Sequence, residues 1–222
     1  MFTLPFFAVL VIAMIDWIAV WRGWFKVRLA SKPLTLLLLI LWFTTTGFWQ
    51  GGMLWFGLAL VFSLLGDIFL LWEKFFAPGL GSFLLAQICY VIGFTQDGIP
   101  MQWQTILIVI CVACAGFMMI SRVLKGLAKS SENASLKTPV IVYGSALALM
   151  LLSAVLCVLR PEWLAIPAVL ASLGAALFFV SDSVLSLNKF AFRIPYAGVI
   201  LIITYHVGQI LLTTAVLMRY LA

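Results

Sequence analysis

Apolar residues in this chain come in long, nearly unbroken runs, without the strict alternation of a half-buried strand or the polar face of a surface helix. Each run approaches the ~20 residues that a helix needs to cross about 30 Å of hydrocarbon. Eight runs are predicted, at roughly 2–21, 33–49, 53–72, 79–96, 103–121, 138–159, 162–187 and 193–218. Each must be helical, because a lone strand would leave its backbone N–H and C=O groups unpaired in lipid. The expected fold is an all-α membrane protein of about eight transmembrane helices, residues 1–222 forming a single polytopic domain.

Composition supports this reading. Of the 222 residues, 65% are hydrophobic and 9% charged, with a mean hydropathy of +1.23, whereas soluble domains carry roughly 25% charged residues. The basic residues test the span count independently, since alternate loops should collect them on the cytoplasmic side. With both termini outside, the inner loops take all 13 Lys and Arg except Arg160 and Arg219. The net charge of +6 is thus a topology signal and calls for no nucleic acid. The first run has no basic leader or A-x-A site and carries Asp16, so it is expected to be a retained helix.

Two stretches break the apolar pattern in the same way. "LLGDIFLLWEKF" and "FFVSDSVLSLNKF" share a D-x6-K-F pattern that aligns Asp67 with Asp182 and Lys74 with Lys189. "SKPLT" at 31–35 has a looser echo in "LKTPV" at 136–140. Matches four spans apart predict two parallel four-helix halves, roughly 1–100 and 101–222. Seven residues make about two helical turns, so each lysine is expected on its aspartate's helix face, with the carboxylate about 10 Å deeper. Lysines at span ends ordinarily snorkel to the headgroups. A carboxylate in the hydrocarbon costs a few kcal/mol even on insertion scales, so two at matched positions point to function.

Other polar groups fall at compatible depths: Lys32, Asp16 and Tyr143 in the inner halves of their spans, and Gln87, Tyr205, His206 and Gln209 near the middle. Together they predict a cavity open to the cytoplasmic leaflet, provided the helices turn these faces towards one another. A three-histidine zinc site is excluded because His206 is the only histidine. A site of one His and two Asp stays open, as does a plain interhelical hydrogen bond from His206. Cys89, Cys111, Cys114 and Cys157 lie in apolar spans, and the C-x-x-C pair at 111–114 lacks a second ligand pair. No metal and no cofactor is expected. The sequon at Asn133 sits in the most basic loop, which the charge rule places in the cytoplasm, away from glycosylation. Tryptophans 17, 21, 24, 49, 55, 72, 103 and 163 lie mostly near span ends, as an aromatic belt.

The order "SKPLT", "LLGDIFLL", "FFVSDSVLSLNKF", "TYHVGQ" on eight apolar spans resembles the YhhN-like lysoplasmalogenases, over residues 31–212. The resemblance implies an integral membrane hydrolase that cleaves the vinyl ether of a lysoplasmalogen, or related lysophospholipid, to a fatty aldehyde and a glycerophospho-base. The expected setting is a bacterial inner (plasma) membrane. One departure stands out: where the family commonly has H-x-x-Y on its fourth span, this chain has Gln87, Ile88, Cys89 and Tyr90. The implied chemistry suits the residues. Asp67 and Asp182 would be the catalytic pair, one giving a proton and the other, ionised, stabilising the cation and activating water. Lys32 and Lys189 would hold the lipid phosphate. Gln87, Tyr143, Asn188, Tyr205, His206 and Gln209 complete the candidate substrate-binding set. A proton-coupled transporter of small molecules or lipids and a noncatalytic scaffold are the rival classes. The mid-span glycines 57, 66, 93, 174 and 208 are where a transporter's helix breaks would fall.

Overall fold

A chain this apolar satisfies its backbone within each segment, and the computed structural model, which describes residues 3–129 and 135–221, is helical throughout its long elements. In order these are α1 (Leu4–Arg22), α2 (Phe25–Gly47), α3 (Met53–Phe69), α4 (Phe76–Thr95), α5 (Trp103–Leu127), α6 (Lys137–Val155), α7 (Ala165–Phe190) and α8 (Ala197–Leu221). Single 3₁₀ turns lie at Glu73–Phe75 and Leu156–Leu159, and the described residues include no strand. Seven helices are long and apolar enough to cross a membrane, and α3, at 17 residues, lies at the short end of the spanning range. The protein is therefore an integral, multi-pass membrane protein. The sequon at Asn133 lies outside the described residues.

Short connections make successive helices antiparallel neighbours: α1 packs on α2, α3 on α4, α5 on α6 and α7 on α8. α8 also touches α1, α2 and α3, and 61% of its most apolar window is buried, against 22% for α1 and α5. It is the axis of the bundle, which is why it can carry Tyr205, His206 and Gln209 away from lipid. α8 approaches α7 closely because two glycines face each other. A Cβ on Gly174 would lie 2.9 Å from the Gly208 carbonyl oxygen, and one on Gly208 2.9 Å from that of Gly174. Small residues at such crossings let backbones meet where no hydrophobic force drives helices together.

Three expectations need correction. α2 begins eight residues before position 33, and Pro33 sits inside the helix. The turn ahead of the proline is held by tertiary partners, Ser31 bonding Asp16 of α1 and Lys32 pairing with Asp67 of α3. α3 stops at Phe69, so Asp67 and Lys74 do not share a helix, although Asp182 and Lys189 do share α7. The chain reverses at once because Leu70 packs onto Gly79, where a Cβ would come within 2.6 Å of it, and Trp72 is extended. No break interrupts the helices at Gly57, Gly66, Gly93, Gly174 or Gly208, each of which makes room for a neighbouring ring or backbone.

The two basic residues that violate the charge asymmetry are both engaged at the bundle end away from the α3–α4 turn. Arg219 pairs with Asp97 at 3.7 Å, and buried Arg160 donates to the Phe94 carbonyl. The ninth tryptophan, Trp42, is no belt residue: it is fully buried in α2, with its ring 4.9 Å from that of Phe6.

The α7–α8 crossing yields the first prediction. Gly174→Leu should destabilise the protein by about 1–3 kcal/mol, the usual range for overpacking, as a lowered Tm in detergent. Gly81→Ala, at a helical glycine with nothing within 4 Å of a Cβ, should not lower it.

Candidate active site

A cleft of about 410 Å³ opens at the end of the bundle where α2 begins and α3 and α7 finish. Asp67, Asp182, Lys32, Lys189, Asn188 and Tyr205 line it, drawn from α2, α3, α7 and α8. Arg28, Glu73, Phe76 and Phe83 line it too. The two aspartates that match in sequence thus face one space, although 115 positions of chain separate them.

The partners of the two carboxylates differ in kind. Asp67 Oδ1 pairs with Lys32 Nζ at 3.0 Å, and Asp67 Oδ2 accepts from the Tyr205 hydroxyl at 2.9 Å. Both ends of the ion pair are at most 4% exposed, so each is the other's main compensation for lost hydration. Among the described residues no cation pairs with Asp182. Its Oδ2 accepts from the Tyr143 hydroxyl and from Gln87 Nε2, the latter at 3.2 Å, while Oδ1 takes no hydrogen bond from the described residues. Gln87 therefore does work at the position where relatives of this pattern were expected to carry histidine: its amide donates to the carboxyl.

The remaining candidates separate by location. Tyr143 and Gln87 reach Asp182 from behind the cleft wall. Lys189, part-exposed at the mouth, lies 3.5 Å from Glu73 and 4.2 Å from the centre of the Phe76 ring. Asn188 Oδ1 accepts from the Ile194 backbone N–H, bracing the α7–α8 turn. His206 and Gln209 do not line the cleft. His206 Nδ1 accepts from Trp17 Nε1 at 3.1 Å, which leaves its proton on Nε2. Gln209 accepts from Tyr90 and donates to Ser63, closing a buried network deeper in the bundle. Both residues are fully buried, and rotation about the α8 axis turns them to other neighbours.

Arg28 is the cleft-lining cation that sequence reasoning did not select. It lies one turn ahead of Lys32, a signal that becomes visible only once α2 extends through Pro33. Asp16 is fully buried and bonded to Ser31 at 2.6 Å, beside Lys32. Lys74 is not a lining residue and instead lies over the Phe75 ring. Among the described residues no three His, Cys, Asp or Glu side chains come together as a metal-binding group, so the site of one His and two Asp does not form. Cys111 and Cys114 are exposed and unpaired, on the outer face of α5.

The arrangement offers one carboxyl held by neutral donors, one carboxylate held by a cation, and positive charge at the mouth. Comparison with known proteins identifies the family. The YhhN family profile matches residues 27–216, a range that contains every candidate residue. The chain is 30% identical to human Lysoplasmalogenase TMEM86B over 200 residues, which is 88% of this chain and 76% of the relative. It is 29% identical to the mouse protein of that name over 216 residues, 96% of this chain and 85% of the relative. A Mycobacterium bovis protein named Lysoplasmalogenase is 31% identical over 166 residues, 72% of this chain and 59% of the relative. No solved structure matches. With the profile covering most of its length, this chain belongs to the YhhN family.

Proposed function

We propose that this protein is a lysoplasmalogenase that hydrolyses the vinyl ether of a lysoplasmalogen to a fatty aldehyde and a glycerophospho-base. It acts from the cytoplasmic leaflet of a plasma membrane, with both termini on the opposite face. The observation that carries the reading is the pair of buried carboxyls on one cleft, differently partnered. Names carried by relatives at about 30% identity support the substrate class.

Vinyl ether hydrolysis begins with proton transfer to the alkene carbon remote from oxygen. Asp182 is assigned as the acid. Its Oδ2 already accepts two hydrogen bonds and plays the carbonyl part, which leaves Oδ1 to carry the proton into the cleft. Protonation leaves an oxocarbenium ion, and the new Asp182 carboxylate lies beside it as the counter-charge. Water adds to the cationic carbon while Asp67, kept anionic by Lys32, accepts its proton. The hemiacetal collapses when Asp67 passes its proton to the glycerol oxygen and the Asp182 carboxylate takes the hydroxyl proton, so the carbon–oxygen bond breaks and aldehyde departs. One water is consumed, and the carboxyls return to their starting states. Lys32 is committed to Asp67, so Arg28 and Lys189 are the cations that meet the phosphate at the mouth.

Asp67→Asn and Asp182→Asn should each cut aldehyde release from a defined lysoplasmalogen by about 100-fold or more in protein that circular dichroism shows to be folded, Asp67→Asn also lowering Tm because it leaves Lys32 buried without its partner. The matching saturated ether lipid should give no aldehyde. Near-normal turnover in both variants would remove the mechanism. A double-mutant cycle tests the assignment of charge. Lys32→Met should cost about 3–5 kcal/mol by stranding a buried carboxylate, and adding Asp67→Asn should recover most of that loss in thermal unfolding.

A further inference from the structure

The polar cleft accounts for a headgroup and a scissile bond but not for the hydrocarbon chain. A second hollow, of about 460 Å³, lies between the first turns of α4 and α6 and is closed at one end by Phe190 of α7. Its volume falls in the range of sites that enclose whole small ligands. No charged residue lines it. Its floor is shaped by Ala77 and Gly81, one turn apart on α4, with Leu80 and Leu84 beside them.

Two observations connect this groove to the cleft. Phe76 lines both spaces, with its ring 6.0 Å from that of Phe190. Tyr143 lines the groove, while its hydroxyl donates to Asp182, which lines the cleft. The partition between the two is therefore about one side chain thick, and it stands at the carboxyl assigned as the acid. A cationic mouth, a reactive carboxyl and an apolar groove in succession match a single-chain phospholipid whose reactive bond lies between its head and its tail.

We propose that the α4–α6 groove is the binding site for the hydrocarbon chain of the substrate, with Phe76 and Tyr143 marking where chain gives way to glycerol. The identity of the reaction is taken from the preceding reading, but chain binding is a separate property with its own readout. The groove places a chain-length limit on the enzyme. It also explains why Tyr143 presents an apolar ring to one space and a hydroxyl to the other.

Gly81 allows a clean test, because a Cβ there meets nothing within 4 Å and leucine is the better helix former. Gly81→Leu should fill the groove, and an unchanged Tm checks that the packing around it is kept. The substitution should lower kcat/KM for long-chain lysoplasmalogens by about tenfold relative to short-chain ones, since a long chain shut out of the groove loses its packing there and no longer positions the vinyl ether. Ala113→Leu fills a separate apolar hollow between α5 and α6 and should leave the chain-length profile unchanged. The second measurement needs no turnover. A saturated-ether lysophospholipid with a diazirine in its chain should label α4 and α6 around Leu80, Leu84 and Val142. Excess unlabelled lysophospholipid should compete this labelling away, and Gly81→Leu should abolish it. Labelling spread over the lipid-facing helices and indifferent to competitor, with an unchanged chain-length profile, would overturn the groove and leave the hydrolase standing. Competed labelling in the groove from a protein that releases no aldehyde would do the reverse.

Discussion

The pairing of Lys32 with Asp67 inside the bundle is the interaction on which the other arrangements rest. An ammonium and a carboxylate that are each almost fully buried must compensate each other's lost hydration, or neither can stay. The pair joins α2 to α3, the Tyr205 hydroxyl on the same carboxylate adds α8, and Ser31, next to Lys32, adds α1 through Asp16. On the other side, Asp182 of α7 gathers α4 through Gln87 and α6 through Tyr143. Seven of the eight helices thus meet around two carboxyl groups. The groups that tie the helices together are the same two carboxyls that line the cleft.

The difference between the two clusters gives the site its direction. Asp67 meets a lysine ammonium and a tyrosine hydroxyl, whereas Asp182 meets a tyrosine hydroxyl and an amide. Two carboxyls with the same partners would compete for one role. The matched sequence positions conceal this asymmetry, since D-x6-K-F is common to both stretches while the decisive lysine comes from α2. The close backbone approach of α7 and α8 at Gly174 and Gly208 sets where Asp182 and Tyr205 stand relative to one another, some two turns from the crossing on α7 and one turn on α8.

The number and class of elements were legible because transfer of apolar side chains into hydrocarbon depends on composition over about 20 residues, a local property. Helix ends were less legible. Pro33 reads as a helix start, yet tertiary bonds from Ser31 and Lys32 hold the helix two turns further back, which hid Arg28. The seven-residue spacing from Asp67 to Lys74 assumed a continuous helix, but the packing of Leu70 on Gly79 ends α3 first.

By itself the sequence determined the membrane class, the eight helices, the position of each polar group along its helix and the singling out of Asp67 and Asp182. That position follows from a helix of constant rise. Tertiary structure alone decided which neighbour each polar group faces. It turned His206 to Trp17 and Gln209 to Tyr90, brought Gln87 and Tyr143 to Asp182, and placed an apolar groove against Tyr143. The reason is that rotation about a helix axis leaves little trace in a chain that is apolar on every face: lipid and bundle interior favour the same residues. Only close packing, at glycines and around buried charges, selects one rotation from the rest.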